Sequence, residues 1–506
     1  MNFGHAAMLD TQLSSSLSYK LFRADQVREN EGKAAAESGC DLATLMQRAG
    51  DAVYLQCQER FANSDVYLVL VGQGNNAGDG YITALNAKQA GKQVIVCAVE
   101  PERTLEGDAG DAQAKWLKAG GKIKAFEKGD IDKADIIIDA LLGTGITTTI
   151  RNEFADIIDA VNSAVTPVVS IDVPSGLDAN TGQSMGRCVQ ANVTVTFVGI
   201  KPGLVTGAGK QSCGQLVYAD LGVGKAFQSL AKASATLLNI DHFKGMGPRD
   251  VHSHKGTYGR LLCIGGNKGT AGAIRLASEA ALRSGAGMVR VYTHQSSVIQ
   301  VSAGRPELMV TDSDLDAALE WASCVVIGPG LGLDSWAEEA FAITMKHCQA
   351  HNKPVVIDAD ALNLLCKQST AYTINESILT PHAGEAARLL GVSVDDVEGD
   401  RFNYARQCSQ RYHAVCVLKG AGTLIDNEKK TWVCRHGNPA LATAGSGDVL
   451  SGILGALMAQ GLAVDIAAKY GVVLHAKAGD DIAQQYGQRG MIASDLFDAV
   501  RVLINQ

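Results

Sequence analysis

Two glycine–aspartate loops, about 370 residues apart, carry residue types that could bind an anion and move a proton. One is Gly72-Gln73-Gly74-Asn75-Asn76-Ala77-Gly78-Asp79-Gly80, and the other is Gly445-Ser446-Gly447-Asp448. Each stands where a helix should open. Glycines let a backbone approach a ligand closely, and the first N–H groups of a helix are unpaired donors that favour anions. Asp448 at such a helix start can take a proton from a hydroxyl as it attacks a phosphoryl group. Two such loops on distant stretches of chain predict two nucleotide or phosphate sites.

Each loop has company. Toward the C-terminus, Gly328-Pro329-Gly330-Leu331-Gly332, Asp358-Ala359-Asp360-Ala361-Leu362, Thr380-Pro381-His382-Ala383-Gly384-Glu385 and Lys419-Gly420-Ala421-Gly422-Thr423 each follow an apolar run. Toward the N-terminus, Asp139 ends one apolar run before Gly143-Thr144-Gly145, and Asp172 ends another before Pro174-Ser175-Gly176. Gly72-x-Gly74-x-x-Ala77 also matches a dinucleotide-binding fingerprint, with Glu100 where a ribose-binding acid would sit. Asn75, Asn76 and Asp79, however, fill that loop with polar side chains, which points to side-chain contacts with a ligand or cation.

The elements that must position these residues alternate. Short apolar runs at 66–71, 94–99, 136–139 and 168–172 read as buried strands, separated by helical stretches from 80, 108 and 153; runs at 193–198 and 215–218 close the set. Helices over 24–32 and 41–61 precede them. Uniformly apolar strands separated by helices predict a parallel sheet covered on both faces. The pattern fades between 225 and 240, where a domain boundary is expected, and restarts with strands at 260–264, 288–292, 324–327, 354–358, 378–380 and 415–418. A long apolar helix runs from about 447 to 460. The fold class is thus α/β with two tandem domains. Ligands in such sheets bind at the carboxyl ends of strands, where every motif above sits.

Composition narrows the classes. At 506 residues the chain exceeds what one core supports. A net charge of −8 without a basic stripe argues against a nucleic-acid partner. The twelve cysteines form no CxxC pair and no zinc spacing, as expected of reduced thiols in a cytosolic protein. Residues 1–10 lack the pattern of a signal peptide, and no run of eighteen apolar residues predicts a membrane span. Residues 203–211 fail as a phosphate-binding P-loop, and Ser446 lacks the Gly-x-Ser-x-Gly elbow of a hydrolase. His252, His254 and Lys255 read as a solvated loop, and His475 as a packed histidine.

The C-terminal motifs in combination resemble the ribokinase-like superfamily, and within it the branch that dehydrates hydrated nicotinamide cofactors. His382-x-x-Glu385 stands where sugar kinases carry Asn-x-x-Glu. The resemblance implies that Lys419, Gly420, Ala421, Gly422, Thr423 and Gly447 bind an adenine nucleotide, ADP or ATP. It implies that Ala273, Gly332, His382 and Asp448 contact the hydrated cofactor, with Asp448 the base and Glu385 helping to organise Mg²⁺. Asp448 would deprotonate the C6 hydroxyl, the nucleotide would phosphorylate it, and loss of phosphate would restore the double bond.

Asn-Asn-x-Gly-Asp-Gly, with Asp-Ala-Leu-Leu-Gly-Thr-Gly and Asp-Val-Pro-Ser-Gly-Leu, resembles the epimerases that interconvert the two C6 forms of hydrated NADH and NADPH. That resemblance implies a substrate site of Asn75, Asn76, Ala77, Gly78, Asp79, Gly143, Thr144, Gly145, Ile146, Thr147, Thr148, Thr149 and Asp172. It further implies a K⁺ ion on Asn76, Asp139 and Ser175, with Asp172 as the acid/base. The expected organisation is a Rossmann-like three-layer epimerase domain over 1–228 and a ribokinase-like dehydratase domain over 236–506. A cytoplasmic homo-oligomer is expected. Two rival readings stand beside it: a small-alcohol or vitamin-precursor kinase, against which His382 argues, and a non-catalytic N-terminal binding module, against which Asn76, Asp139 and Asp172 argue.

Overall fold

A computed structural model describes residues 19–506 apart from 147, 369–371, 373 and 375. The reading of residues 1–10 and the proposed role of Thr147 therefore lie outside the described residues. The chain divides into two compact units, 1–236 and 237–506, and the division falls within the strand Ala235–Leu238.

The N-terminal unit is built on seven parallel strands. Their spatial order is Ile123–Ala125, Gln93–Ala98, Val66–Val71, Ile136–Ala140, Val168–Ile171, Val193–Phe197 and Gln215–Ala219. Side chains alternate across a strand, so one strand feeds two cores. Tyr67, Val69 and Val71 pack into one, whereas Leu68 and Leu70 pack into the other. Burial on both faces is why these runs are continuously apolar, at roughly 1.5–3 kcal/mol per large aliphatic side chain. Helices Ala24–Glu37 and Leu42–Arg60 lead in, the second capped by Asp41, which accepts from the Thr44 N–H at 2.8 Å.

In the C-terminal unit, Val415–Leu418, Ser377–Leu379, Val355–Ile357, Cys324–Ile327, Arg260–Ile264, Met288–Tyr292 and Leu308–Thr311 lie side by side and parallel. Leu424–Asp426 and Thr431–Cys434 extend the sheet antiparallel beyond Val415–Leu418, a hairpin that the apolar pattern did not predict. Again Leu261 and Cys263 serve one core and Leu262 and Ile264 the other. Helix Ser446–Ala459 presses on helix Ala271–Arg283; a Cβ on Gly452 would stand 2.0 Å from the Ala277 carbonyl oxygen. Among the described residues no helix is long and apolar enough to cross a membrane.

Both sheets have a point where successive connections leave in opposite directions. In the first, the chain goes from Val66–Val71 to one side twice, then returns to Ile136–Ala140 on the other. In the second, it leaves Arg260–Ile264 toward Met288–Tyr292 and returns to Cys324–Ile327. The loops at such a point diverge and leave a crevice at the carboxyl ends of the strands.

Candidate active sites

The N-terminal crevice is a cleft of about 490 Å³. Gly74, Asn75 and Asn76 form one wall, and Leu142, Gly143, Thr144, Gly145, Ile146, Thr148 and Thr149 form the other. Helix Asn75–Gln89 begins there without a side-chain cap, and the Ala77 N–H donates to the Gly74 carbonyl at 3.0 Å. Arg28 and Arg151, which the sequence reading did not single out, also line it. Two cations beside a helix start make this an anion-favouring cleft.

Asp139 lies beneath the cleft, not in it, at 1% exposure. Its carboxylate accepts from Ser170 Oγ (2.7 Å), Ser175 N (2.9 Å) and Ser175 Oγ (2.5 Å). Ser175 Oγ in turn accepts from the Leu142 N–H at 2.9 Å, and Asn76 Nδ2 donates to the Leu142 carbonyl at 3.2 Å. Asn76, Asp139 and Ser175 therefore converge on the 142 loop, with the Leu142 and Ser175 N–H groups and the Asn76 amide among the donors there. Burial raises the Asp139 carboxyl pKa and the Ser175 hydrogen bonds counter it.

Asp172 sits at φ 62°, a left-handed conformation uncommon outside glycine. Its Oδ1 accepts from Thr196 Oγ1 (3.0 Å), Phe197 N (3.1 Å) and Lys201 Nζ (2.5 Å). Lys201 is 1% exposed and was not anticipated from sequence. A lysine in an apolar stretch, Val198-Gly199-Ile200-Lys201-Pro202, is the signal that could have found it. Asp79 faces the same charges: burial, then Asp172 and Glu31, push its carboxyl well above the usual range. Burial likewise raises Glu31, which Lys201 partly offsets.

The loop glycines do different work from that expected of them. A Cβ on Gly72 would stand 1.8 Å from the Leu141 carbonyl oxygen, on Gly78 2.5 Å from Met46 Sδ, and on Gly80 2.7 Å from Ala140 Cβ. These three permit close packing inside the protein. Around Gly74 a Cβ would meet nothing within 4 Å, and it alone of the four opens onto the cleft.

At the C-terminal crevice, two loops are stitched together. Asn267 N donates to Gly330 O at 2.7 Å, and Asn267 Nδ2 donates to Leu331 O (3.0 Å) and Asp334 Oδ1 (2.9 Å). The Gly332 N–H donates to Asp360 Oδ2 at 2.8 Å. Ala273 lies in the first turn of the helix that starts beside them. Gly445, at φ 87°, turns the chain into helix Ser446–Ala459, which places Asp448 in its first turn. His475 touches this turn: its Nε2 lies 2.9 Å from the Ser446 carbonyl, and burial drops its pKa to about 4, so it is a neutral prop to the loop.

Lys419 gathers the charges. Its Nζ lies 3.0 Å from Asp358 Oδ1 and 3.8 Å from Glu385 Oε2, and a Cβ on Gly447 would stand 3.5 Å from it. Ser451 Oγ donates to the other Asp358 oxygen at 2.7 Å. Burial, then Asp358, pushes Asp448 up to about 7, with Lys419 pulling the other way. The buried Arg401 donates to the Leu418 and Lys419 carbonyls from beneath Gly420, supporting residues 419–423. His382 caps helix Ala383–Leu390, its Nδ1 accepting from the Gly384 and Glu385 N–H groups. Glu385 Oε2 returns the cap by accepting from His382 N at 2.8 Å. Glu385 is thus occupied by its own helix and by Lys419. Among the described residues no three His, Cys, Asp or Glu side chains converge as a metal cage.

Two crevices on two sheets, one beside an anion-favouring helix start and one ending in a carboxylate poised near neutrality, define a tandem two-site α/β enzyme. Residues 261–501 match the family model of NAD(P)H-hydrate dehydratase, and residues 42–203 that of the YjeF-related protein N-terminus. The chain is 42% identical over 496 residues to the bifunctional NAD(P)H-hydrate repair enzyme Nnr of Escherichia coli K12, covering 97% of this chain and 95% of that protein. It is 37% identical over 536 residues to the bifunctional NAD(P)H-hydrate repair enzyme of Leishmania infantum, covering 98% and 95%. A solved ADP/ATP-dependent NAD(P)H-hydrate dehydratase from Bacillus subtilis, co-crystallised with ATP and Mg²⁺, is 29% identical over 51% of this chain and 93% of its own, with a TM-score of 0.47. The chain belongs to the family of bifunctional NAD(P)H-hydrate repair enzymes.

Proposed function

We infer that this protein repairs hydrated NADH and NADPH: one activity interconverts the two C6 epimers, and the other dehydrates one of them, the S form, at the cost of a nucleotide. What supports this reading is the presence of two carboxylates in two separate units: Asp172, held by Lys201 just beyond strand Val168–Ile171, and Asp448, in the first turn of helix Ser446–Ala459 with its pKa raised to about 7. We assign the epimerase to residues 1–228 and the dehydratase to 236–506.

In the dehydratase, Lys419, Gly420, Ala421, Gly422, Thr423 and Gly447 hold the phosphate and base of ADP or ATP. Ala273, Gly332 and His382 seat the hydrated ring. Asp448 takes the proton of the C6 hydroxyl as its oxygen attacks the terminal phosphoryl group. Phosphate then leaves with the C6–O electron pair, the ring nitrogen donates into C6, and loss of a C5 proton restores the double bond. A base poised near 7 suits this step, because it is ionised at working pH and still basic. Mg²⁺ arriving with the nucleotide would neutralise phosphate charge, and Glu385, the carboxylate beside Lys419, would help to organise it.

In the epimerase, Asn75, Asn76 and the 143–149 loop would seat the substrate, with Ala77, Gly78 and Asp79 forming the helix turn behind them, away from the cleft lining. Asp172 takes the proton of the C6 hydroxyl; the C6–N1 bond opens to an aldehyde, and its electron pair moves onto N1, in conjugation with the carboxamide. Rotation and reclosure on the other face, with return of the proton, give the other epimer. The oxygens of Asn76, Asp139, Ser175 and the Leu142 carbonyl fit a K⁺ ion, which would fix the 142–145 loop.

Twelve free thiols suit a reducing compartment, and we place the protein in the cytoplasm as a homo-oligomer. The test of the function is incubation of hydrated NADH with Mg²⁺ and either ADP or ATP. Recovery of dihydronicotinamide absorbance is expected, and no recovery with either nucleotide would overturn the dehydratase assignment.

A further inference from the structure

We propose that Lys201 is the positioning residue of the epimerase, which engages one oxygen of Asp172 and leaves Oδ2 as the atom that moves the proton. This rests on the reading of the N-terminal cleft as the epimerase site.

The geometry is built by one short turn. Phe197 presents its N–H to Asp172 Oδ1 at 3.1 Å and its carbonyl to Lys201 Nζ at 3.1 Å. Val198, which follows, is held at φ 63°, a genuine outlier for a β-branched residue. Asp172, across the turn, is held at φ 62°. Two unfavourable backbone conformations on facing residues persist only where the surroundings over-determine them, and such strain gathers at functional sites.

Lysine has three ammonium protons, and each has a partner: Asp172 Oδ1, Thr196 Oγ1 at 3.3 Å and Phe197 O. An ammonium at 1% exposure with three acceptors is fixed in place. Asp172 Oδ1 receives three donors, Thr196 Oγ1, Phe197 N and Lys201 Nζ, whereas the hydrogen bonds described for this carboxylate leave Oδ2 open. The carboxylate therefore cannot rotate its oxygens without losing three bonds, and it meets the substrate through one defined atom. The remaining charges around it are Glu31, from helix Ala24–Glu37, with Arg28 one turn away, and Asp79, from helix Asn75–Gln89. Both acids are of the same sign as Asp172, and Lys201 is the cation in direct contact with it.

The test is the pH dependence of epimer exchange, measured as kcat/KM from a single purified epimer with the full chain. Lys201→Met should lower the neutral rate by about 100-fold and move the acidic limb of the profile up by a unit or more. Lys201→Arg, which keeps the charge, should leave the limb within a few tenths of its original place. Retained dehydratase activity together with an unchanged circular dichroism spectrum shows that the chain still folds. Where Lys201→Met does not fold, Thr196→Val removes one Oδ1 donor and should move the limb upward by a smaller step. A rate loss with an unmoved limb in the folded variant overturns the role of Lys201. Absence of epimer exchange in the unaltered protein overturns the epimerase reading instead.

Discussion

The two sites use the same pair of residues in opposite ways. In the N-terminal unit the buried lysine grips the carboxylate proposed to move the proton, Lys201 to Asp172 at 2.5 Å. In the C-terminal unit Lys419 is tied to neighbours, Asp358 at 3.0 Å and Glu385 at 3.8 Å, and Asp448 is left to burial and like charge, which carry it to about 7. Lys419 still pulls the Asp448 pKa down, but burial and the neighbouring Asp358 outweigh it. The difference matches the two steps proposed, the opening of a hemiaminal on one side and the attack of a hydroxyl on a phosphoryl group on the other.

The sharpest way to break that comparison is to remove each base in turn. Asp448→Asn should lower nucleotide-dependent recovery of NADH by about 10²–10⁴-fold and leave epimer exchange intact, and Asp172→Ala should do the reverse. Loss of both activities in either folded single variant would show that the sites are not independent. Lys419→Met strands Asp358 as an uncompensated buried charge, so the C-terminal unit should lose about 3–5 kcal/mol in denaturant unfolding. A loss below about 1 kcal/mol would mean that Lys419 is held for the nucleotide alone.

The glycine loops allow a third comparison. Gly72→Ala drives a Cβ into the Leu141 carbonyl and should cost about 3 kcal/mol by calorimetry, whereas Gly74→Ala, in open space, should stay within about 0.5 kcal/mol. Equal costs would contradict the division between packing and cleft glycines. The smallest effect runs the other way. The raised pKa of Asp448 means that, between the ordinary carboxylate range and about pH 7, the native state holds a proton that the unfolded chain has released. Stability then falls as pH rises through that window. Asp448→Asn should therefore gain about 1–3 kcal/mol at alkaline pH and nothing at strongly acidic pH, in a melting series across pH. A loss at alkaline pH would place Asp448 as a stabilising ion partner.

Much of the site was legible because it is local. Asn75, Asn76, Gly143, Thr144, Gly145, Ile146, Thr148 and Thr149 follow apolar strands, and strand ends of a parallel sheet share one edge, so their meeting in a cleft needs no knowledge of the packing. Asp448 was legible for the same reason, as the third residue of a helix that opens on glycine. Lys201, Arg28 and Arg401 were not legible. Lys201 meets Asp172 29 residues back, Arg28 reaches the cleft from a helix far from it in sequence, and Arg401 bonds the Leu418 and Lys419 carbonyls.

The sequence alone determined the period of its strands, the breaks between them and the chemistry waiting at each break, because those depend on neighbours a few residues apart. Only the tertiary structure decided what the two glycine–aspartate loops face. Whether a glycine admits a ligand or a neighbouring carbonyl, and whether a lysine grips the base or the acid beside it, is a matter of distances between segments far apart in the chain. Those distances set the desolvation and charge that give each carboxylate its role.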